Sequence, residues 1–172
     1  MTVVTRSLYV LRHAKAEAES ADGDHGRVLR RRGRQAAREV GLFLSRLDEA
    51  PELILSSTAA RAQETARFAR EAGEWKAPLE LHAELYESTP KAILRVIAGA
   101  PSEARRLLLV GHEPGLSLTI AELCGTEPVF PTAAVARLDF ELEAWAEVAQ
   151  GSGRLMWLVP SAVIETLNPP KK

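Results

Sequence analysis

The stretch Ser7-Leu8-Tyr9-Val10-Leu11-Arg12-His13 decides the fold class of this chain. Its short apolar run predicts a buried strand, and two polar residues follow that strand at once. The same arrangement returns twice, where Leu53-Ile54-Leu55 runs into Ser56-Ser57 and where Leu107-Leu108-Leu109-Val110 runs into Gly111-His112. Three buried strands with polar ends are typical of an open sheet that binds its ligand at the carboxyl ends of the strands.

Helices are predicted between these strands, because apolar residues recur there at helical spacing. The first helix ends before Pro51, Ser57 or Thr58 can cap the second, and Pro90 and Gly115 begin the third and fourth. The apolar positions are Ala36, Val40, Phe43, Leu44 and Leu47; Ala62, Thr65, Ala66 and Ala69; Ile93, Leu94 and Ile97; and Leu116, Ile120 and Leu123. Alternating strands and helices predict an α/β fold, a three-layer sandwich with a mostly parallel sheet and helices on both faces.

The last two predicted strands have no helix between them. Residues 134–143 alternate between apolar and polar side chains, which is typical of a half-buried strand, and residues 154–159 form the final strand. We therefore expect an antiparallel edge at this end of the sheet. We also expect a frayed tail over residues 168–172, inserts over residues 14–26 and 73–87, and one domain over residues 1–172.

The composition limits the classes of function. Hydrophobic residues make up 46% and charged residues 26% of the 172 positions, which is the balance of a soluble globular protein. The formal net charge of -1 gives no reason to expect nucleic acid or a membrane as a partner. The single cysteine, Cys124, excludes an intrachain disulfide and a cysteine-based metal cage. Residues 1–10 lack the apolar run of a signal peptide, and no segment approaches a membrane span, so a cytoplasmic location is expected.

A cluster of arginines lies at the start of the first predicted helix, without an acidic residue between them. Such charge runs usually form a solvated helix face, and this is our interpretation of the cluster. A local docking surface for an acidic partner is the alternative. The members are Arg27, Arg30, Arg31, Arg32, Arg34 and Arg38.

The polar residues that follow the strands favour a phosphate site. Arg12, His13, Arg61 and His112 come from three separate segments, and a parallel sheet brings such segments to one edge. Guanidinium groups bind phosphate oxygens in a planar, bidentate way. A metal is disfavoured, because neither histidine has a second ligand at clear spacing and nearby arginines oppose a cation.

Three motifs in this order resemble the signatures of a known family. They are Leu11-Arg12-His13-Ala14; Ser56-Ser57-Thr58-Ala59-Ala60-Arg61-Ala62-Gln63-Glu64-Thr65-Ala66; and Val110-Gly111-His112-Glu113-Pro114-Gly115. Together they resemble the histidine phosphatase superfamily, and the short chain with its Arg-His-Ala form resembles the SixA-type phosphohistidine phosphatase branch. The resemblance runs over nearly the whole chain and implies a phosphoglycerate mutase-like fold.

The resemblance also implies roles for individual residues. His13 attacks phosphorus and becomes phosphorylated, while Arg12, Arg61 and His112 hold the equatorial oxygens, with no metal or cofactor. Ser57 either contacts the substrate or only caps a helix. Glu84 matches the proton donor of larger relatives, and an exposed loop carboxylate is the alternative there.

The sequence departs from the family pattern at two places that bear on the site. Glu113 stands where asparagine is common, and we expect its carboxylate to point away from the phosphate. Val28-Leu29-Arg30 replaces the usual Pro-Leu-Thr, so the cap of the first helix is lost.

The leading hypothesis is a phosphatase that removes phosphate from phosphohistidine on a signalling protein, such as a histidine phosphotransfer domain. The inserts offer few residues for a lid, which favours an open site and a large substrate. A phosphatase for a small phosphomonoester and a non-catalytic phosphate-binding module are the alternatives.

Overall fold

A computed structural model describes residues 4–168 of the chain. Six strands form a mixed sheet in the order β3-β2-β4-β1-β5-β6. Five helices cover the sheet, with α1, α2 and α5 on one face and α3 and α4 on the other. The strands are β1 (Val4–Arg12), β2 (Leu53–Ser57), β3 (Leu79–His82), β4 (Arg106–Gly111), β5 (Val135–Leu142) and β6 (Gly153–Val159), and the helices are α1 (Arg31–Arg46), α2 (Ala60–Ala72), α3 (Pro90–Ala98), α4 (Gly115–Cys124) and α5 (Ser161–Leu167).

The predicted α/β class and its layers are confirmed. Strands β3, β2, β4 and β1 run parallel, whereas β5 pairs antiparallel with both β1 and β6, so the predicted antiparallel edge is present. The central strands are apolar on both faces because helices cover both. A fully buried leucine or isoleucine contributes roughly 1.5–3 kcal/mol, so these strands form the most stable part of the sheet.

Several local predictions were wrong. Neither Ser57 nor Thr58 caps α2, since Ala59 is the N-cap residue and makes no side-chain cap bond. Leu47 follows the end of α1 and is exposed. Asn168 is not frayed but buried, and its amide donates to the carbonyl oxygen of Glu39 over 3.0 Å. Residues 169–172 of the predicted tail lie outside the described residues.

Two elements were not predicted, the edge strand β3 and the short helix α5. The predicted loss of the cap of the first helix is confirmed, since Arg30 is the N-cap residue of α1 and makes no side-chain cap bond. The start of α1 packs tightly on the segment after β1, since a Cβ built on Gly33 would lie 2.1 Å from the carbonyl oxygen of Lys15. Only glycine fits there, which explains its position in this turn.

Within residues 4–168 no helix combines the length and the hydropathy that a membrane crossing requires. The cytoplasmic location expected from the sequence stays a prediction.

Candidate active site

The strand registers bring the predicted site residues to one edge. Arg12 at the end of β1 lies opposite Gly111 at the end of β4, and Ser56 of β2 lies opposite Val110 of β4. His13 and His112 therefore leave neighbouring parallel strands side by side. Their ring centroids are 5.1 Å apart. This is the convergence that polar residues after parallel strands predict.

The ring of His13 is fixed by the backbone. Its Nδ1 lies 2.9 Å from the carbonyl oxygen of Ala14. A carbonyl oxygen can only accept, so Nδ1 carries the proton and Nε2 keeps the free electron pair. The amide of Ala14 donates in turn to Thr65 Oγ1 over 2.9 Å, which ties the first motif to helix α2. The second motif thus holds the backbone that orients His13.

The ring of His112 is oriented by Ser57, which is fully buried at the end of β2. Ser57 Oγ lies 2.8 Å from His112 Nε2 and accepts the amide of Ala59 over 3.2 Å. The serine hydroxyl then has its one proton left for His112 Nε2. In the neutral ring the remaining proton sits on Nδ1, which is buried and has no hydrogen-bond partner among residues 4–168.

Burial and neighbouring cations keep both histidines neutral. Burial lowers the pKa of His13 to about 4, with further lowering by the charges of Arg61, Arg12 and Arg27. The pKa of His112 falls to about 3 for the same first reason, with repulsion from His13 and Arg61 added. At neutral pH both imidazoles are therefore uncharged, and Nε2 of His13 keeps its free electron pair.

The two arginines present unpaired nitrogens beside the histidines. Arg12 Nη1 donates to the carbonyl oxygen of Phe130 over 3.0 Å, and burial lowers the pKa of Arg12. Arg61 is almost fully buried. The Nε atoms of both arginines are buried and lack hydrogen-bond partners in the described part of the chain. Two guanidinium cations therefore act on two neutral imidazoles, and such a set suits the oxygens of a phosphoryl group.

Asp24 is a carboxylate at this site that the sequence reading missed. Its carbonyl oxygen accepts Arg61 Nη1 over 2.8 Å, and its Oδ2 lies 3.2 Å from Arg61 Nη2. Tyr86 donates its hydroxyl to Oδ2 over 2.7 Å, and Arg27 Nε lies 2.9 Å from Oδ1. The Tyr86 bond and the two arginines lower the pKa of Asp24 to about 2, so this carboxylate is ionised at neutral pH. An acidic residue in the insert after the first motif was the available sequence signal.

Aromatic side chains and loop residues border the site. The ring of Tyr86 meets that of His112 edge-on at 5.7 Å and that of His25 at 4.8 Å. His25 Nε2 lies 2.9 Å from Thr58 Oγ1, which fastens the insert 14–26 to the start of α2. The insert thus forms one rim of the site.

Glu84 is not brought to the histidines. It is exposed in a 3-10 turn, Ala83–Leu85, and lines a cavity of about 280 Å³ that contains none of the four central residues. His82 and Arg95 line this cavity too. The role of Glu84 as a proton donor stays a prediction, and no contact among the described residues supports it.

Glu113 precedes α4 and binds the first turn of that helix with its carboxylate, while its expected direction away from a phosphate stays a prediction. Its two carboxylate oxygens accept the amide of Ser117 over 3.0 Å and the hydroxyl of Ser117 over 2.6 Å. These bonds satisfy a free amide in the first turn of α4. The carboxylate therefore stabilises the helix that follows His112.

Comparison with known proteins agrees with this geometry. The sequence profile of the histidine phosphatase superfamily (branch 1) matches residues 8–92. The uncharacterized protein MT1313 of Mycobacterium tuberculosis is 31% identical over 157 residues, which cover 85% of this chain and 96% of that protein.

Two solved structures show the same fold. A protein of Nakamurella multipartitia assigned as a phosphohistidine phosphatase SixA is 30% identical, with a TM-score of 0.81 over 93% of this chain and 98% of that one. The protein histidine phosphatase SixA solved with tungstate has the same TM-score at 22% identity, over 92% of this chain and 99% of that one. Together with the sequence relatives, these matches establish that the chain is a phosphatase of the histidine phosphatase superfamily (branch 1) and of the SixA type.

Proposed function

We propose that this phosphatase removes the phosphoryl group from phosphohistidine on a protein, through a phosphorylated His13. The observation that carries the proposal is the convergence on His13 of two arginine cations, Arg12 and Arg61, and of the neutral ring of His112, which lies 5.1 Å from the His13 ring. A tetrahedral dianion supplies acceptors for all three donors. The neutral Nε2 of His13 then faces the phosphorus atom.

In the proposed first step, His13 Nε2 attacks phosphorus and the phosphorus–nitrogen bond of the substrate breaks. The substrate imidazole leaves with its electron pair and takes a proton from water. In the second step, water attacks the phosphoryl group on His13, inorganic phosphate is released, and Nε2 regains its free pair. Arg12, Arg61 and His112 stabilise the charge on the equatorial oxygens in both steps.

The lack of a protonated acid beside His13, among the carboxylates considered, favours a substrate with a nitrogen leaving group. Asp24 is ionised at neutral pH and Glu84 lines a separate cavity, so neither is a protonated acid beside His13. An alkyl alcohol needs strong general acid help on departure, whereas an imidazole takes its proton from water. The similarity to the Nakamurella protein, which was assigned as a phosphohistidine phosphatase, supports the same substrate class.

A small phosphomonoester is the second candidate, and one cavity favours it. A space of about 440 Å³ adjoins His112 and is bounded by the segment before α3 and the start of α4. Pro90, Pro114 and Leu118 line it. This space is large enough for the leaving group of a small metabolite.

The test measures phosphate release in EDTA from a phosphorylated histidine phosphotransfer domain and from a panel of small phosphomonoesters. We expect the wild type to turn over the phosphoprotein with the higher kcat/KM, and the His13→Ala variant to turn over neither substrate. Preferred turnover of a monoester would assign the second function. Turnover by His13→Ala equal to that of the wild type would contradict the role of His13 as the nucleophile.

A further inference from the structure

Basic residues are concentrated in one segment of this chain, residues 27–38, at the start of α1. Of the 22 lysines and arginines, six lie within residues 27–38, whereas none of the 23 acidic residues lies there. The rest of the chain is therefore net acidic. Arg31 and Arg32 are exposed and make no ion pair or hydrogen bond among residues 4–168, in contrast to Arg27, Arg30 and Arg34, which do.

Two of these arginines, Arg30 and Arg32, line a groove. A cavity of about 430 Å³ is lined by Lys15, Arg30, Arg32, Thr132, Ser161 and Glu165 and is named the cationic groove below. Three cations face one carboxylate from within the groove, and Arg30 also pairs with Glu17 at 3.3 Å. The hydroxyl of Thr132 adds a neutral polar group, whereas that of Ser161 already donates to the carbonyl oxygen of Thr132 over 3.3 Å. This lining suits a ligand that carries several carboxylates.

The cationic groove lies next to the backbone of Arg12 and His13. Lys15 follows His13 by two residues, and the carbonyl oxygen of Lys15 accepts the amide of Arg30 over 2.9 Å. The amide of Ala133, at the floor of the groove, lies 3.1 Å from the carbonyl oxygen of Arg12 and 3.3 Å from that of His13. On the other side, Arg27 reaches the site through Asp24, which binds Arg61. A ligand that occupies both the His13 site and the cationic groove therefore extends across this part of the protein surface.

We infer that the cationic groove binds an acidic segment that flanks the phosphohistidine of the protein substrate. The inference rests on the proposed function, because the phosphoryl group in the His13 site sets where the flanking segment lies. Lys15 lies two residues after His13 in the chain, so the residues next to the phosphohistidine are the part of a protein substrate nearest to the groove. A single phosphoryl group on a small molecule fills the His13 site and leaves Lys15 and Arg32, which have no ion pair among residues 4–168, without a partner. A protein substrate with an acidic segment beside its phosphohistidine complements the charge of both the His13 site and the cationic groove.

The test compares two peptides that carry a non-hydrolysable phosphohistidine analogue, one flanked by four glutamates and one by four glutamines. Binding is measured by fluorescence anisotropy at about 0.05 M and 0.5 M salt, since screening separates charge pairing from packing. We expect the wild type to bind the acidic peptide at least about tenfold more tightly at low salt, and the preference to shrink at high salt.

Two matched double variants locate the preference. Lys15→Glu with Arg32→Glu reverses two charges in the groove, and Arg105→Glu with Arg154→Glu reverses two exposed charges near the amino ends of β4 and β6, at the far edge of the sheet. The groove variant should lose the preference for the acidic peptide, while the control variant keeps it. Arg32→Glu alone, at an exposed helix position, should give a smaller loss in the same direction.

Equal affinity of the wild type for the two peptides would overturn the inference, and so would an equal loss in both double variants. Displacement of the acidic peptide by oligouridylate at lower concentration than by free acidic peptide would assign the groove to nucleic acid instead. Turnover of a phosphohistidine peptide is measured in parallel. Absent turnover with a retained preference would contradict the proposed function and leave the groove as a site for acidic segments.

Discussion

Ser57 Oγ lies 2.8 Å from His112 Nε2, and this one contact fixes the tautomer of the neutral His112 ring. Because the serine also accepts the amide of Ala59, its own proton points to the imidazole. Nδ1 of His112 therefore carries the one hydrogen of the neutral ring. Ser57 is thus a positioning residue in the proposed mechanism. It does not cap the first turn of α2.

The Ser57→Ala variant tests this positioning role. Without the hydroxyl, the neutral His112 ring can take the other tautomer and present an acceptor to the phosphate. We expect kcat to fall about 10–100-fold, the loss typical when the partner that orients a metal-bound histidine is removed. Nitrogen chemical shifts of His112 report the tautomer directly. An unchanged tautomer together with an unchanged kcat would reduce Ser57 to a packing residue.

The Arg61→Lys variant separates charge from geometry. Lysine keeps the positive charge but lacks the planar fork, and it loses the bonds that the two Nη atoms make to Asp24. We expect kcat to fall by about 10²–10³, as when one donor to a developing oxyanion is lost. The matched control is Arg67→Lys, an exposed residue further along α2. Turnover of Arg61→Lys close to that of the control would show that charge alone suffices.

Asp24 and Glu84 offer a second matched pair. Asp24 contacts Arg61 and Tyr86, whereas Glu84 lines a separate cavity. Asp24→Ala should lower kcat/KM about tenfold, because Arg61 loses an ion partner that fixes its guanidinium. Glu84→Gln should leave kcat/KM within about twofold, the usual effect of a surface substitution. The reverse order, measured with the phosphoprotein, would return the acidic role to Glu84.

The sequence predicted the catalytic edge because its signals are strong and local. Runs such as Leu107-Leu108-Leu109-Val110 are apolar on both faces, and this occurs only in strands with helices on both sides. Each run ends in a polar residue, so the parallel registers follow once the strands are placed. His13 and His112 are thereby adjacent without any knowledge of the loops.

The elements that were missed have weak or nonlocal signals. Strand β3 has only four residues at the edge of the sheet, and Leu81 within it is exposed. Helix α5 buries a single residue, Ile164. Asp24 lies in an insert whose conformation is held by contacts with Arg61 and Tyr86, more than 35 residues away. No periodicity within the insert encodes such contacts.

Acid should destabilise the fold through its two neutral histidines. The pKa of His13 is about 4 and that of His112 about 3 in the folded protein, both below the ordinary value near 6.5. Between these values the unfolded chain binds more protons than the folded one, so the free energy of unfolding falls as the pH drops below about 6.5. With allowance for the partial exposure of His13, the pair should cost on the order of 3 kcal/mol at pH 5.

The measurement is urea unfolding between pH 4.5 and 7, a window above the range in which Asp24, with its pKa of about 2, takes up its proton. Replacing His13 and His112 by glutamine removes both groups, so the double variant should show a much flatter dependence on pH. His25→Gln, at an exposed position on the rim, is the control and should keep the wild-type slope. If the double variant keeps that slope as well, His13 and His112 are not the groups through which acid destabilises the fold. Their pKa values in the free enzyme are then higher than burial beside Arg12 and Arg61 dictates.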